Sequence, residues 1–195
     1  MDKADKVRDH LVKAAQRSFS RFGFEKATMN DIAKEARKGK SSLYYYFTSK
    51  EDVFKAVVQT EAEFFKSEVE KGLEGVEDLK TRIRIYFTIR MQRFKEVGNL
   101  YAAMRNDYLK KLDFVEKIRE NYDREELEFI QALLHEGVEK GEFRVKSITD
   151  TSFALASALK GLEFPLFFNP NDQKLTERID ALLDILFYGI AKQQQ

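Results

Sequence analysis

The chain has 195 residues, no cysteine, and 34 Lys and Arg against 33 Asp and Glu. That length can bury a real core, as one domain or as a small domain joined to a larger one, while the lack of cysteine excludes a disulfide framework and thiolate chemistry. The N-terminus, MDKADKVRDH, lacks the apolar run of a signal peptide, and no stretch approaches the roughly 18 consecutive apolar residues of a membrane span, so a cytoplasmic protein without a membrane partner is expected. Only two prolines occur, Pro165 and Pro170, and no long alternating segment suggests a strand, so the expected fold class is all-α.

The near-zero net charge conceals an asymmetry. Residues 1–50 contain 12 Lys and Arg against 6 Asp and Glu, and the remainder holds 22 against 27. Positive charge concentrated in the first quarter is the footprint of a polyanion-binding module attached to a different unit, although scattered surface charge gives the same count.

In chain order, Val7, Leu11, Ala14, Ala15, Phe19 and Phe22 recur at spacings of three and four, which predicts an amphipathic helix over 4–22 stopped by Gly23. Thr28 followed by Asp31 resembles a capping box and predicts a short helix over 29–36 that buries Ile32, Ala33 and Ala36. Arg37-Lys38-Gly39-Lys40 makes a polar turn, and a third short helix begins at Ser41 or Ser42 and runs through Phe47. Ser49 is placed to cap a fourth helix from about Lys50. Two short helices across a tight turn form a helix-turn-helix. Tyr44, Tyr45 and Tyr46, consecutive on the second of them, point three ways, so at least one must face something other than the core.

The runs FSRFGFEKATMNDIAKEA (Phe19 to Ala36) and KSSLYYYFTSKEDVF (Lys40 to Phe54) resemble the DNA-binding domain of the TetR/AcrR family of bacterial transcriptional regulators. The strong match covers roughly residues 7–57. The resemblance implies an N-terminal helix-turn-helix domain over 1–49 and a larger helical domain for effector binding and dimerisation over 50–195, about nine helices in all. It implies that double-stranded operator DNA is bound by Thr28, Asn30, Lys38, Lys40, Ser41, Ser42, Tyr44, Tyr45, Tyr46 and Lys50. Leu43 and Phe47 anchor the third helix, Tyr45 is the expected base reader, and Tyr44 either reaches the groove or packs inward. One departure stands out: Arg37 occupies the place of the family's turn glycine, so either Arg37 accepts a left-handed backbone, at roughly 1–2 kcal/mol, or the turn is reshaped around Gly39. Arg37 and Lys38 both add positive charge where phosphates would lie.

Beyond residue 50, helices are expected over 50–71, 76–97, 100–108, 113–140, 149–164 and 172–192, with the glycine-flanked EGVEKGEFR at 136–144 closing the long central one. The segment over 149–164 is apolar on nearly every side, as a helix buried all round would be. With the helix after it, it fits a four-helix homodimer interface through Phe153, Ser157, Gly161, Ile179, Leu182, Leu183, Leu186 and Ile190, although burial within one subunit gives the same pattern. If the resemblance extends to an effector cavity, Phe65, Tyr86, Arg90, Phe94, Tyr101, Met104, Phe129 and Leu133 line it, although an aromatic stripe at helical spacing is also ordinary core. Arg90 either meets an anionic head group or is solvated on the far face. The expected effector is a small apolar or amphipathic molecule.

No residue constellation supports an enzyme, a cofactor or a metal. His135-Glu136-Gly137-Val138-Glu139 lacks the second histidine of a zinc protease motif, and no glycine-rich nucleotide loop occurs. A ligand-responsive repressor, binding operator DNA as a dimer and released by its effector, is therefore expected. The alternative is a helical carrier protein that keeps the fold without DNA recognition, and Arg37 is the feature that keeps it open.

Overall fold

The structure is a computed structural model that describes residues 3–96, 113–168 and 174–189. These form eight α-helices: α1 (Lys3–Lys26), α2 (Met29–Glu35), α3 (Lys40–Tyr46), α4 (Lys50–Leu73), α5 (Leu79–Glu96), α6 (Asp113–Glu139), α7 (Ile148–Phe168) and α8 (Leu175–Tyr188). The short helix expected over 100–108 lies outside the described residues. No strand occurs among the described ones, and none of the helices is long and apolar enough to cross a membrane.

The chain divides into two compact units, Met1–Phe64 with Glu96–Glu120, and Phe65–Lys95 with Asn121–Gln195. The expected division fell at 49/50. The first two turns of α4 nevertheless belong to the N-terminal core, because Val53, Phe54, Ala56 and Val57 are buried in one cluster with residues of α1, α2 and α3.

In the first unit, α1 buries Leu11, Ala14, Ala15 and Phe19 along one stripe. Gly23 breaks that helix, as its position implies, with φ 77 and ψ 162. The chain then resumes one more turn, which turns Phe24 inward. The rings of Phe19, Phe24 and Phe54 meet at centroid distances of 5.0–5.7 Å, and burial of each contributes about 1.5–3 kcal/mol. α4 is capped as expected, the Asp52 N–H donating to Ser49 Oγ at 3.1 Å.

In the second unit, Gly72 lets α4 and α5 approach closely. A Cβ there would lie 2.8 Å from Ile89 Cδ1 and 3.0 Å from Ile85 Cγ2. The end of α6 is fixed by the predicted glycines: the Glu142 and Phe143 N–H groups both donate to the Gly137 carbonyl at 2.8 and 2.9 Å, and the Phe143 ring lies where a Cβ on Gly137 would be. α7 continues through Pro165 past its expected end at 164, since one proline removes a single hydrogen-bond donor from the helix. All-round burial of α7 is not completed within one chain. Leu155, Ala156 and Leu159 are buried, whereas Phe153, Ala154, Ser157 and Gly161 are exposed.

Candidate nucleic-acid interface and interior cluster

The reciprocal capping box at the start of α2 is complete. The Asp31 N–H donates to Thr28 Oγ1 at 3.2 Å, and the Thr28 hydroxyl and N–H donate back to the Asp31 carboxylate at 2.6 and 3.0 Å. Those two donors hold the Asp31 carboxyl below its ordinary range. Met29, Ile32 and Ala33 fix α2 to the core, leaving Thr28 and Asn30 exposed at its start.

The helix ends in a Schellman motif: the Arg37 N–H donates to the Lys34 carbonyl and the Lys38 N–H to the Ala33 carbonyl, both at 2.9 Å. That geometry requires a left-handed residue after Ala36, and Arg37 adopts it with φ 52, while Gly39 sits at an ordinary φ of −68 as the N-cap of α3. Of the two ways the missing glycine could be accommodated, the chain takes the strained one. His10 Nε2 donates to the Ala36 carbonyl at 2.9 Å, tying α1 to the same turn; because a carbonyl only accepts, this nitrogen carries the proton.

α3 is held by Leu43, which is 0% exposed, and its cap Phe47, also buried. The three tyrosines then sort by angle. Tyr45 is 82% exposed and Tyr44 is 45% exposed, so Tyr44 does not pack inward. Tyr46 is the half-buried one, against the core and edge-on to Tyr45 at 5.0 Å. Lys38, Lys40 and Ser41 are exposed and Ser42 is half-buried. The Lys40 ammonium lies 5.7 Å from the centre of the Tyr44 ring. The Arg8 guanidinium, from α1, lies 5.3 Å from the Phe47 ring centre, a cation beside α3 that periodicity alone could not place.

Lys50 is differently engaged. Its ammonium donates to the Phe24 carbonyl at 2.7 Å and the Glu25 carbonyl at 3.1 Å and lies 4.5 Å from the Phe24 ring centre. It thereby caps the final turn of α1 and leaves at most one N–H for a phosphate.

In the second unit, α4, α5 and α6 carry five of the expected pocket residues. Tyr86 stacks on Phe129 at 4.4 Å and meets Phe65 edge-on at 5.9 Å; Leu133 is buried and Arg90 is partly buried. Phe94's side chain, Tyr101, Met104 and Ile190 lie outside the described residues. The sequence reading missed Glu126, a buried carboxylate that accepts from the Tyr86 hydroxyl at 3.1 Å and from Arg90 Nε at 2.8 Å. Burial, with that carboxylate alongside, pushes the Tyr86 hydroxyl well above its ordinary range, so it stays a donor. Arg90 is thus paired with Glu126 and about one-fifth exposed, not on a fully solvated far face. Among the described residues no three His, Asp or Glu side chains assemble to hold a metal ion.

The expected dimer residues also sort by burial. Ile179 and Leu183 are fully buried within their own chain, Leu182 and Leu186 are half-buried, and Phe153, Ser157 and Gly161 are exposed. Ile185 and Tyr188, 52% and 64% exposed, share the open side of α8. Residues two apart on a helix face nearly opposite ways, so the burial of Leu183 sends Ile185 outward.

Residues 11–57 match bacterial regulatory proteins of the tetR family, and residues 94–192 match the C-terminal region of QacR-like proteins. The chain is 22% identical over 194 residues to the HTH-type transcriptional regulator QacR of Staphylococcus aureus, covering 95% of this chain and 99% of QacR. It is 26% identical over 143 residues to the HTH-type transcriptional regulator YfiR of Bacillus subtilis, covering 72% and 69% of the two chains. Among solved structures, a transcriptional regulator of Cytophaga hutchinsonii is 30% identical, with a TM-score of 0.72 over 90% of this chain and 91% of that one. The fold is also that of FadR from Bacillus subtilis in complex with stearoyl-CoA, at 19% identity and a TM-score of 0.78 over 94% and 99% of the two chains. The chain belongs to the tetR family and is a transcriptional regulator.

Lys50→Met should leave the Phe24 and Glu25 carbonyls without their donor and lower stability by about 1–3 kcal/mol, read as a urea midpoint shift. If Lys50 instead serves chiefly as a phosphate contact, the variant would keep its midpoint and lose salt-dependent DNA affinity.

Proposed function

We propose that the protein is a dimeric repressor whose operator affinity is lost when a small apolar or amphipathic molecule binds its second unit. The observation that carries the DNA half is the exposure of Tyr44 and Tyr45 beside Lys38, Lys40 and Ser41 on a helix fixed from behind by Leu43. In a helix-turn-helix, the second helix lies in the major groove with its N-terminal residues against base edges. Tyr45 reads bases through its hydroxyl or by contact with a thymine methyl. Thr28, Asn30, Lys38, Lys40, Ser41 and Ser42 meet phosphates and fix the register, and Tyr46 positions Tyr45. Such a role places the protein with the chromosome, in the cytoplasm, and involves no catalytic step. Lys40→Ala should weaken operator and random DNA by the same factor and flatten the salt dependence by about one unit per protomer. Tyr45→Ala should reduce preference for the operator by about 1–3 kcal/mol, with stability within about 0.5 kcal/mol of wild type because the ring is exposed. Fluorescence titrations against both DNAs check this, and unchanged operator preference would remove Tyr45 from the reading.

The dimer is proposed to form through Phe153, Ser157 and Gly161 of α7 with Leu182, Ile185, Leu186 and Tyr188 of α8. This is a row of exposed and half-buried side chains around small residues that admit a close neighbour. Two weak half-site contacts then become one spaced contact. Ile185→Glu places its charge in water in a single chain, so the fold should survive while the dimer dissociates. Sedimentation that finds a folded dimer would put the interface elsewhere.

The effector reading rests on the cluster around Tyr86. Its described polar groups, Glu126, Tyr86 and Arg90, already satisfy one another, so the surroundings favour a largely apolar ligand with one polar end. The stearoyl-CoA bound by the FadR of similar fold is an amphiphile of that kind. A ligand at 100 times its dissociation constant should stabilise the chain by about 2.7 kcal/mol. Glu126→Gln should strengthen the response to long-chain anionic amphiphiles by releasing Arg90, and Arg90→Gln should weaken it, both measured by thermal shift. If no amphiphile shifts the wild type, the aromatic cluster is core alone.

A further inference from the structure

We propose that Arg37 contacts an operator phosphate, and that its left-handed backbone persists because the turn is where that cation is used; this rests on the DNA-binding reading above. Arg37 is the only non-glycine residue with positive φ among the described residues. The Schellman geometry of α2 demands that conformation after Ala36, and glycine adopts it without a Cβ clash. Strained residues persist where something outside the local backbone favours them, and they gather at functional sites.

Two internal compensations are absent from the turn. The first would be packing or pairing of the side chain. Arg37 is exposed, and among the described residues it makes no ion pair and no ring contact. The second would be capping of α2 by the guanidinium. The carbonyls of Ile32, Ala33, Lys34 and Ala36 are taken by the N–H groups of Ala36, Lys38 and Arg37 and by His10 Nε2, and the guanidinium donates to none of the described residues. What remains is placement. Arg37 lies three residues before Lys40, so its Cα is within about 11 Å of the start of α3, the end that enters the groove. Lys38 and Lys40, both exposed, follow it in the same turn. A guanidinium is suited to bidentate phosphate contact.

The strain and the charge can be separated by substitution in the purified full-length protein. The probes are a random-sequence duplex and the genomic fragment retained by wild-type protein. Arg37→Gly should relieve the strain and raise Tm by about 2–4 °C. It should weaken both DNAs by the same factor, roughly tenfold per protomer near 0.1 M salt, and flatten the salt dependence by about one unit per protomer. Arg37→Gln keeps the strained backbone without the charge, so it should lose as much DNA affinity with the wild-type Tm. Arg37→Lys should recover the salt dependence. The proposal is overturned if Arg37→Gly or Arg37→Gln binds both DNAs as wild type does, or if affinity falls with an unchanged salt slope, which would make the effect one of turn geometry. Failure of the wild type to bind either duplex would instead remove the DNA reading itself.

Discussion

A helix of seven residues does not persist alone in water, because its nucleation cost exceeds what two turns of hydrogen bonds return. α3 exists because Leu43 and Phe47, one turn apart, are buried against α1, α2 and the start of α4. Everything useful about the helix-turn-helix follows from that anchor. Leu43 sets the rotation of α3, and the rotation decides which tyrosine faces outward. α2 is just as short, and it is held in the same way by Met29, Ile32 and Ala33, with its two ends closed by the capping box and the Schellman turn. The exposed tyrosine face is therefore a by-product of a small apolar core in which the Phe19–Phe24–Phe54 cluster fills the centre.

In the second unit the corresponding constraint is electrostatic. A buried carboxylate is costly unless it is paired and hydrogen-bonded. Glu126 on α6 meets both conditions through two residues of α5 separated by one turn, Tyr86 and Arg90. The cluster is nearly neutral as it stands. An anionic group that draws Arg90 away leaves Glu126 buried without its cation, and a cationic group competes with Arg90 for the same oxygen. A ligand that gains most from apolar contact and asks least of these three groups avoids both costs, which is the physical reason for expecting an amphiphile with a long apolar part.

Much of this was legible in the residues. The i, i+4 spacing of Leu43 and Phe47, the Thr28-Asp31 box, the Ser49 cap and the glycines around residue 140 each act over one or two helical turns, so local pattern determines them. What was not legible depends on partners far along the chain. Lys50 reads as a free cation until the carbonyls of Phe24 and Glu25, about 25 residues earlier, are seen to take it. Glu126 reads as one acid among several on α6 until α5 is placed beside it. Gly23 was rightly read as a break, but a break does not say whether the helix resumes, and the burial of Phe24 decides that it does. On α8, Leu183 and Ile185 have the same hydropathy, and only the packing of the chain on itself separates the inward residue from the outward one.

The same packing redistributes the charge of the first 50 residues. Lys13 is paired with Asp9 and Arg17 with Glu35, at 2.9 and 2.7 Å. Lys50 is taken up by the end of α1, while Arg8 and Arg21 lie over the rings of Phe47 and Phe22. The cations of the turn, Arg37, Lys38 and Lys40, are exposed and form no ion pair among the described residues, although Lys40 lies over Tyr44. A net excess that counts as diffuse in the sequence is thus locally concentrated, because acidic partners sit along α1 and α2 and none sits in the turn between α2 and α3. Counterion release acts on the charges nearest the phosphates, so in the proposed DNA complex the turn would carry more of the affinity for a polyanion than its share of the residues would suggest. In the proposed reading, Tyr44 and Tyr45, exposed just beyond it, are left to supply the discrimination between sequences.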